Sequence, residues 1–269
     1  MDAFLLPSLT VCYNVVMKKI LFFVICLPLL LLATVASAHQ PRLVKGDVVE
    51  INNPEISQAF YGWLNGEPAT FKIHSDKAFK LYVGVLVPDI KGVEKDVSAD
   101  IYKSNGAQSA LIASLDGSNS DWPLFHEDFA NDNYFWGPEF KAADAGRFEP
   151  KGREVGAGDY SINVFRPGNQ GKYVLVVGEK ELFPPKEMLN AVLIMPDLKT
   201  KFFGKSILLT FYSRIGLYLA IPLIILIALV ITAVFLIKKF KKVKVIKKKV
   251  LKKGVVIKKR RKVVKKISN

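Results

Sequence analysis

The chain has 269 residues, half of them apolar, which is long enough for a domain of ordinary size and too apolar for a disordered protein. Its formal charge of +15 is confined to one end: Lys238 to Asn269 carries 17 basic residues and no acidic one, so the other 22 basic and 24 acidic residues leave a body of −2. The body therefore has no charge signature of a nucleic-acid binder, and a disulfide framework is excluded because Cys12 and Cys26 both precede the expected mature domain.

Lys18 and Lys19 precede an apolar run from Ile20 to Val35, and Ala36-Ser37-Ala38 follows. A basic region, an apolar stretch and small residues at minus three and minus one predict a secretory signal over residues 1–38, cut before His39. Met17, directly ahead of the lysine pair, is an alternative initiator. An uncleaved anchor is the rival reading, and either one places the middle of the chain outside. No Asn-x-Ser/Thr acceptor occurs between His39 and Arg214, which with the missing disulfides fits a prokaryotic surface.

From 39 to 183 the pattern is of short β-rich runs between turn residues: Asp47 to Ile51, Ala59 to Leu64, Ala69 to His74, Phe79 to Val87, Val97 to Tyr102, Ala110 to Leu115, Gly158 to Phe165 and Lys172 to Val177. With no helical pattern between them, they predict an all-β extracytoplasmic domain, an antiparallel sandwich of two packed sheets. Pro167-Gly168-Asn169-Gln170-Gly171 separates the last two runs and predicts a hairpin.

Chemistry is expected in 121–140, which reads as a long loop. It holds Trp122, Phe125, Phe129, Tyr134, Phe135, Trp136 and Phe140 together with Asp121, Glu127, Asp128, Asp132 and Glu139. Aromatic faces beside carboxylates suit a sugar groove, with Trp122, Tyr134, Trp136, Glu127 and Asp128 as the binding residues. The other reading has the rings clamping the loop onto the sandwich. Asp116, Asn119 and Asp121 are oxygen donors of the type that holds calcium, without the regular order of an EF-hand. A His39 freed by signal cleavage would offer an amine and an imidazole to copper, with His74 or His126 as a further ligand. No nucleophile elbow, phosphate-binding loop or Cys-x-x-Cys occurs, and His126-Glu127-Asp128-Phe129-Ala130 lacks the second histidine of a zinc protease, so no enzyme is expected.

The runs Val155-Gly156-Ala157-Gly158-Asp159-Tyr160-Ser161-Ile162-Asn163-Val164 and Asn169-Gln170-Gly171-Lys172-Tyr173-Val174-Leu175-Val176-Val177 resemble the closing strands of the bacterial pre-peptidase C-terminal domain. Gly66-Glu67-Pro68-Ala69-Thr70-Phe71-Lys72-Ile73 and Ser98-Ala99-Asp100-Ile101-Tyr102 sit where that family has its opening strands. The likeness covers residues 55 to 180 and implies a jelly-roll-like sandwich, interrupted by an insertion from Asp116 to Arg153. It supplies no activity, since such sandwiches accompany other domains as binding or spacing modules. The whole layout also resembles single-pass surface proteins of bacteria.

Pro184-Pro185 opens a juxtamembrane segment, 184–214, in which Met188, Ala191, Val192 and Met195 recur at helical spacing, with Phe202 and Phe203 expected to dip into the membrane interface. Residues 215–237 carry no charge and as a helix would span roughly 34 Å, enough to cross a bilayer. Lys238, Lys239, Lys241 and Lys242 follow at once, which predicts a cytoplasmic carboxyl end touching anionic inner-leaflet lipids. The tail 238–269 has no aromatic residue after Phe240, so nucleic-acid binding would be sequence-blind and is the weaker reading beside a stop-transfer role. The expectation is a type I single-pass protein of the cell membrane, a non-catalytic surface module binding a glycan or protein. A spacer without a small ligand, and a calcium- or copper-binding surface protein, are the alternatives.

Overall fold

Tyr160, Ile162 and Val164 are buried and alternate with the half-buried Ser161, Asn163 and Phe165, while Tyr173 to Val177 is an unbroken buried apolar run. The first pattern belongs to a strand covered on one face, the second to a strand covered on both. The computed structural model describes residues 39–106, 108–216, 220–221, 223–238 and 241. It divides into two units, of which residues 35–218 form the larger.

The described part of that unit has thirteen strands: β1 (Gln40–Leu43), β2 (Val48–Ile51), β3 (Gln58–Asn65), β4 (Ala69–Ser75), β5 (Phe79–Leu81), β6 (Val83–Pro88), β7 (Ser98–Asn105), β8 (Gln108–Leu115), β9 (Leu124–Glu127), β10 (Asp132–Phe140), β11 (Arg153–Val155), β12 (Gly158–Phe165) and β13 (Gln170–Val177). A first sheet runs β1-β3-β13-β6-β10-β9 and a second β2-β4-β12-β7-β8, with β11 and β5 as a separate pair. The fold is a β-sandwich. Its inner core joins Phe60, Val85, Tyr173 and Leu175 of the first sheet to Phe71, Ile101, Ile162 and Val164 of the second.

Several expectations are corrected. β12 and β13 are not a hairpin: β12 pairs with β4 and β7 in one sheet, β13 with β3 and β6 in the other. The 3-10 turn Pro167–Asn169, with Gly168 at φ 74°, carries the chain across the sandwich instead. The run expected at 79–87 divides at Tyr82, whose buried hydroxyl donates to Glu139 at 2.7 Å. The sandwich is not wholly antiparallel, because β1 pairs parallel with β3 and β2 parallel with β4, each at a sheet edge.

The outer face of the first sheet is also apolar, and the chain after the sandwich covers it. Helix α1 (Pro185–Asp197), a π turn (Leu198–Phe202) and a 3-10 turn (Ile207–Tyr212) bring Met195, Leu198, Phe202, Phe203 and Ile215 against Ala59, Tyr61, Leu86, Trp136, Val174 and Val176. Phe202 is fully buried, its ring edge-on to Tyr61 and to Trp63 at 5.2 Å each, and Phe203 is 5% exposed. Neither ring is free to enter a membrane interface as expected. Aromatic side chains bury a large apolar area each, and these two pack the helical layer onto the sheet.

Residues 223–238 are helical, and among the described residues no helix is long and apolar enough to cross a membrane. The expected signal at 1–38, residues 217–219 and 222 of the expected span, and the tail apart from Lys238 and Lys241 lie outside the described residues. Ile215, first in that span, is buried against the outer face of the first sheet.

Candidate functional site

Segment 121–140 is two strands, not a loop. β9 pairs antiparallel with β10, and β10 pairs with β6, extending the first sheet. The turn between them is closed by Glu127, whose carboxylate accepts from the backbone N–H of Phe129 at 2.7 Å and of Ala130 at 2.8 Å. Burial pushes the Glu127 carboxyl above the usual carboxylate range, against the pull of those two donors. A register shift between Trp136 and Glu139 accommodates Pro138, which has no N–H for the ladder. At Gly137 a Cβ would lie 2.5 Å from the Trp122 ring, so this position holds glycine because an indole occupies the space.

The three rings expected to stack on sugar are core residues. Trp122 is 5% exposed and donates from its indole to the Gly117 carbonyl at 2.8 Å. Trp136 and Tyr134 are each 3% exposed, and the Tyr134 hydroxyl meets that of Tyr61 at 2.9 Å. With both ring faces packed, no stacking surface remains at Trp122, Tyr134 or Trp136, and Glu127 is occupied by its turn. Asp128 is exposed and pairs with Arg214 at 3.1 Å and His126 at 3.6 Å. The clamping reading of this segment is the one its packing matches.

The oxygen and nitrogen donors expected to hold metal do not converge. The Asp116 carboxylate accepts from the Ser118 N–H and the Asn119 amide, which hold it below its usual range, and Asp121 pairs with Arg147 at 2.8 Å. The His39 imidazole bonds to the Ser57 hydroxyl, His74 lies between Asp159 and Asp76, and His126 bonds to Asn133. Among the described residues no group of three or more His, Cys, Asp or Glu is placed to hold an ion.

Two arrangements had no mark in the expectations. The first is a buried clasp. Lys199 donates to Asp132 at 2.6 Å and to the Ala130 carbonyl at 2.6 Å, with both side chains of the ion pair 1% exposed, and Lys205 reaches the other Asp132 oxygen at 3.0 Å. Lys172 of β13 donates to the Lys201 carbonyl at 3.0 Å and to that of Phe202, and burial lowers its pKa. Lys199 had a legible signal: it follows Met188, Ala191 and Met195 on the apolar stripe, and a lysine there requires a buried acceptor.

The second is a groove of about 580 Å³ at the open side of the sandwich, between the two edge strands β1 and β2. Val49, Ile56 and Phe60 line it with carbon. Arg42, held by Glu187 at 2.7 Å and Gln40 at 2.6 Å, forms part of the wall, and Gln58 donates to the Asn52 carbonyl at 3.0 Å. The side chains of Lys45, Glu50 and Asn52 also line it, and make no hydrogen bond or ion pair among the described residues. A second groove of about 700 Å³ adjoins it at Asn53, Ile56 and Leu182 and includes His74, Asp76 and Lys77. Nothing in the sequence pattern marked either one, because each is made by elements that meet only after folding.

No protein-family model and no curated relative matches the chain. Among solved structures it is similar to the pre-peptidase C-terminal domain of a collagenase from Bacillus anthracis, at 10% identity and a TM-score of 0.29, covering 50% of this chain and 96% of that one. At that score the likeness carries no argument about ligand or activity.

Proposed function

We propose that the chain is a membrane-anchored, non-catalytic surface module that takes an extended segment of a partner protein at the open side of its sandwich. The observation that carries this reading is the groove between β1 and β2. Both strands end their sheets, so each has one edge of backbone donors and acceptors without a neighbouring strand. An added peptide strand uses such an edge for affinity and the adjoining pockets for specificity. The lining has one aromatic residue, Phe60, 3% exposed, so it offers a saccharide no ring to stack on. Anchoring is supported by the uncharged run 215–237 and the four lysines that follow it.

The test is peptide- and glycan-array binding by the full chain in lipid nanodiscs. Extended peptides should bind, and Glu50→Lys should weaken them about tenfold, or about 1.4 kcal/mol. Binding of sugars alone, unchanged by Glu50→Lys, would remove the groove from the proposal. Protease added to intact cells should cut near Lys151 and spare Lys238 and Lys239; the reverse would overturn the orientation.

A spacer role is the second reading. The clasp favours it, since a buried ion pair fastens the helical layer to the sandwich as one stiff body.

A further inference from the structure

The 3-10 turn Ile207–Tyr212 displays apolar side chains to solvent at five of its six positions. Ile207 is 44% exposed, Leu208 63%, Leu209 41%, Phe211 59% and Tyr212 78%, while Thr210 alone is buried. Most exposed apolar side chains on a soluble surface stand singly and need no explanation, but a contiguous run of this kind marks an interaction site.

The run is not a frayed end that could turn its side chains inward. Ser206 caps it by accepting from the Leu208 N–H. Its far end is fixed on both sides of the chain: Asn131 donates to the Tyr212 carbonyl at 3.2 Å, Arg214 pairs with Asp128 at 3.1 Å, and the Ile215 N–H reaches the Phe129 carbonyl at 3.3 Å. The β9–β10 turn thus holds the run in place from behind, with its apolar side chains directed away from the sandwich.

On the anchoring reading above, on which this inference rests, we infer that residues 207–212 are a foot that lies in the outer interface of the bilayer and seats the sandwich on the lipid. Three observations select lipid as the occupant. The turn is continuous in sequence with the uncharged run, only Ser213 and Arg214 intervening before Ile215, and a segment of that length reaches no more than roughly 10 Å. Phe211 and Tyr212 stand where a spanning helix carries its interfacial aromatic residues. Residues 198–216 contain no acidic residue, and Arg214, 48% exposed beside Asp128 at the end of the turn, is within reach of a lipid phosphate. A short apolar turn enters the boundary between headgroups and acyl chains by the same balance that seats an amphipathic helix there.

The experiment uses the full chain with Cys12→Ala and Cys26→Ala, reconstituted into vesicles of phosphatidylcholine and phosphatidylglycerol. Nitroxide labels are placed at Leu208→Cys or Phe211→Cys, and at Leu111→Cys on β8 as the water-exposed control. Relaxation by oxygen is compared with relaxation by a water-soluble nickel chelate, and flotation records whether the chain is held by the vesicles. The foot predicts that labels at 208 and 211 respond several-fold more to oxygen, relative to nickel, than the label at 111. If the chain floats and these labels respond to nickel as the control does, the foot is overturned and the anchor stands. If the chain does not float, both fall. Shielding from both reagents that weakens on dilution into more lipid assigns the turn to a contact between copies of the chain and overturns the lipid assignment.

Discussion

His39 and His74 lie on the same domain and are pushed to opposite sides of the ordinary imidazole pKa. Burial lowers His39 from 6.5 to about 4. His74 is raised by its hydrogen bond to Asp159 and then by the one to Asp76. For His39 the unfolded chain takes up its proton first as pH falls, so its contribution to stability is complete above about 6.5 and is lost between there and about 4. For His74 the folded chain takes up its proton first, so its contribution is complete below 6.5 and disappears as pH rises through the folded value. Imidazole resonances followed by NMR should show His74 half-protonated at a higher pH than His39, and the opposite order would remove the burial assigned to His39. A copper role for His39 fits poorly with this position, since its imidazole is already committed to Ser57.

At the scale of elements, the decisive contact is the clasp between β10 and the π turn. Lys199→Met leaves Asp132 buried with only Lys205 beside it and should destabilise the chain by about 3 kcal/mol. Asp132→Leu combined with Lys199→Met should restore most of that loss in denaturant unfolding, because Lys205 is 30% exposed and can turn to water. A double variant as unstable as the single one would show that the ion pair is not the source. The limits of the strands are legible wherever alternation and turn residues agree: the run Gly158 to Phe165 matches β12 to the residue, and Ala69 to His74 matches β4 within one. Their partners were not legible. Pro167-Gly168-Asn169 reads equally well as a hairpin turn or as a crossing between sheets, and the choice is made by β3 and β6 competing for β13. β10 is hidden for a similar reason: Asp132, Tyr134 and Trp136 do alternate as buried residues toward the helical layer, but Gly137-Pro138 ends the pattern as a loop would. The groove was illegible, since β1 and β2 are four residues each and gain their meaning only as edges.

At the scale of the whole molecule, the sandwich does not end at residue 183. A chain stopped there would expose Tyr61, Leu86, Trp136, Val174 and Val176 together, a contiguous apolar patch of the kind that soluble monomers seldom show. Such a fragment should aggregate or bind a hydrophobic dye, whereas one ending after Gly216 should elute as a folded species on size exclusion. Equal behaviour of the two would mean that the helical layer is dispensable. The division into a sandwich at 39–183 and a separate segment at 184–214 therefore cuts through one apolar core.

The way Lys172 meets the Lys201 and Phe202 carbonyls governs how this domain yields when its carboxyl end is pulled. Tension applied beyond residue 216 loads Arg214, then Lys205, then the grip of Lys172 on residues 201 and 202, then Lys199, each a side-chain fastening that parts separately from the next. Only afterwards does the load reach β13, where full backbone ladders on both flanks resist together. The helical layer should peel away in small steps at low force, leaving both sheets intact as the last and stiffest element to rupture.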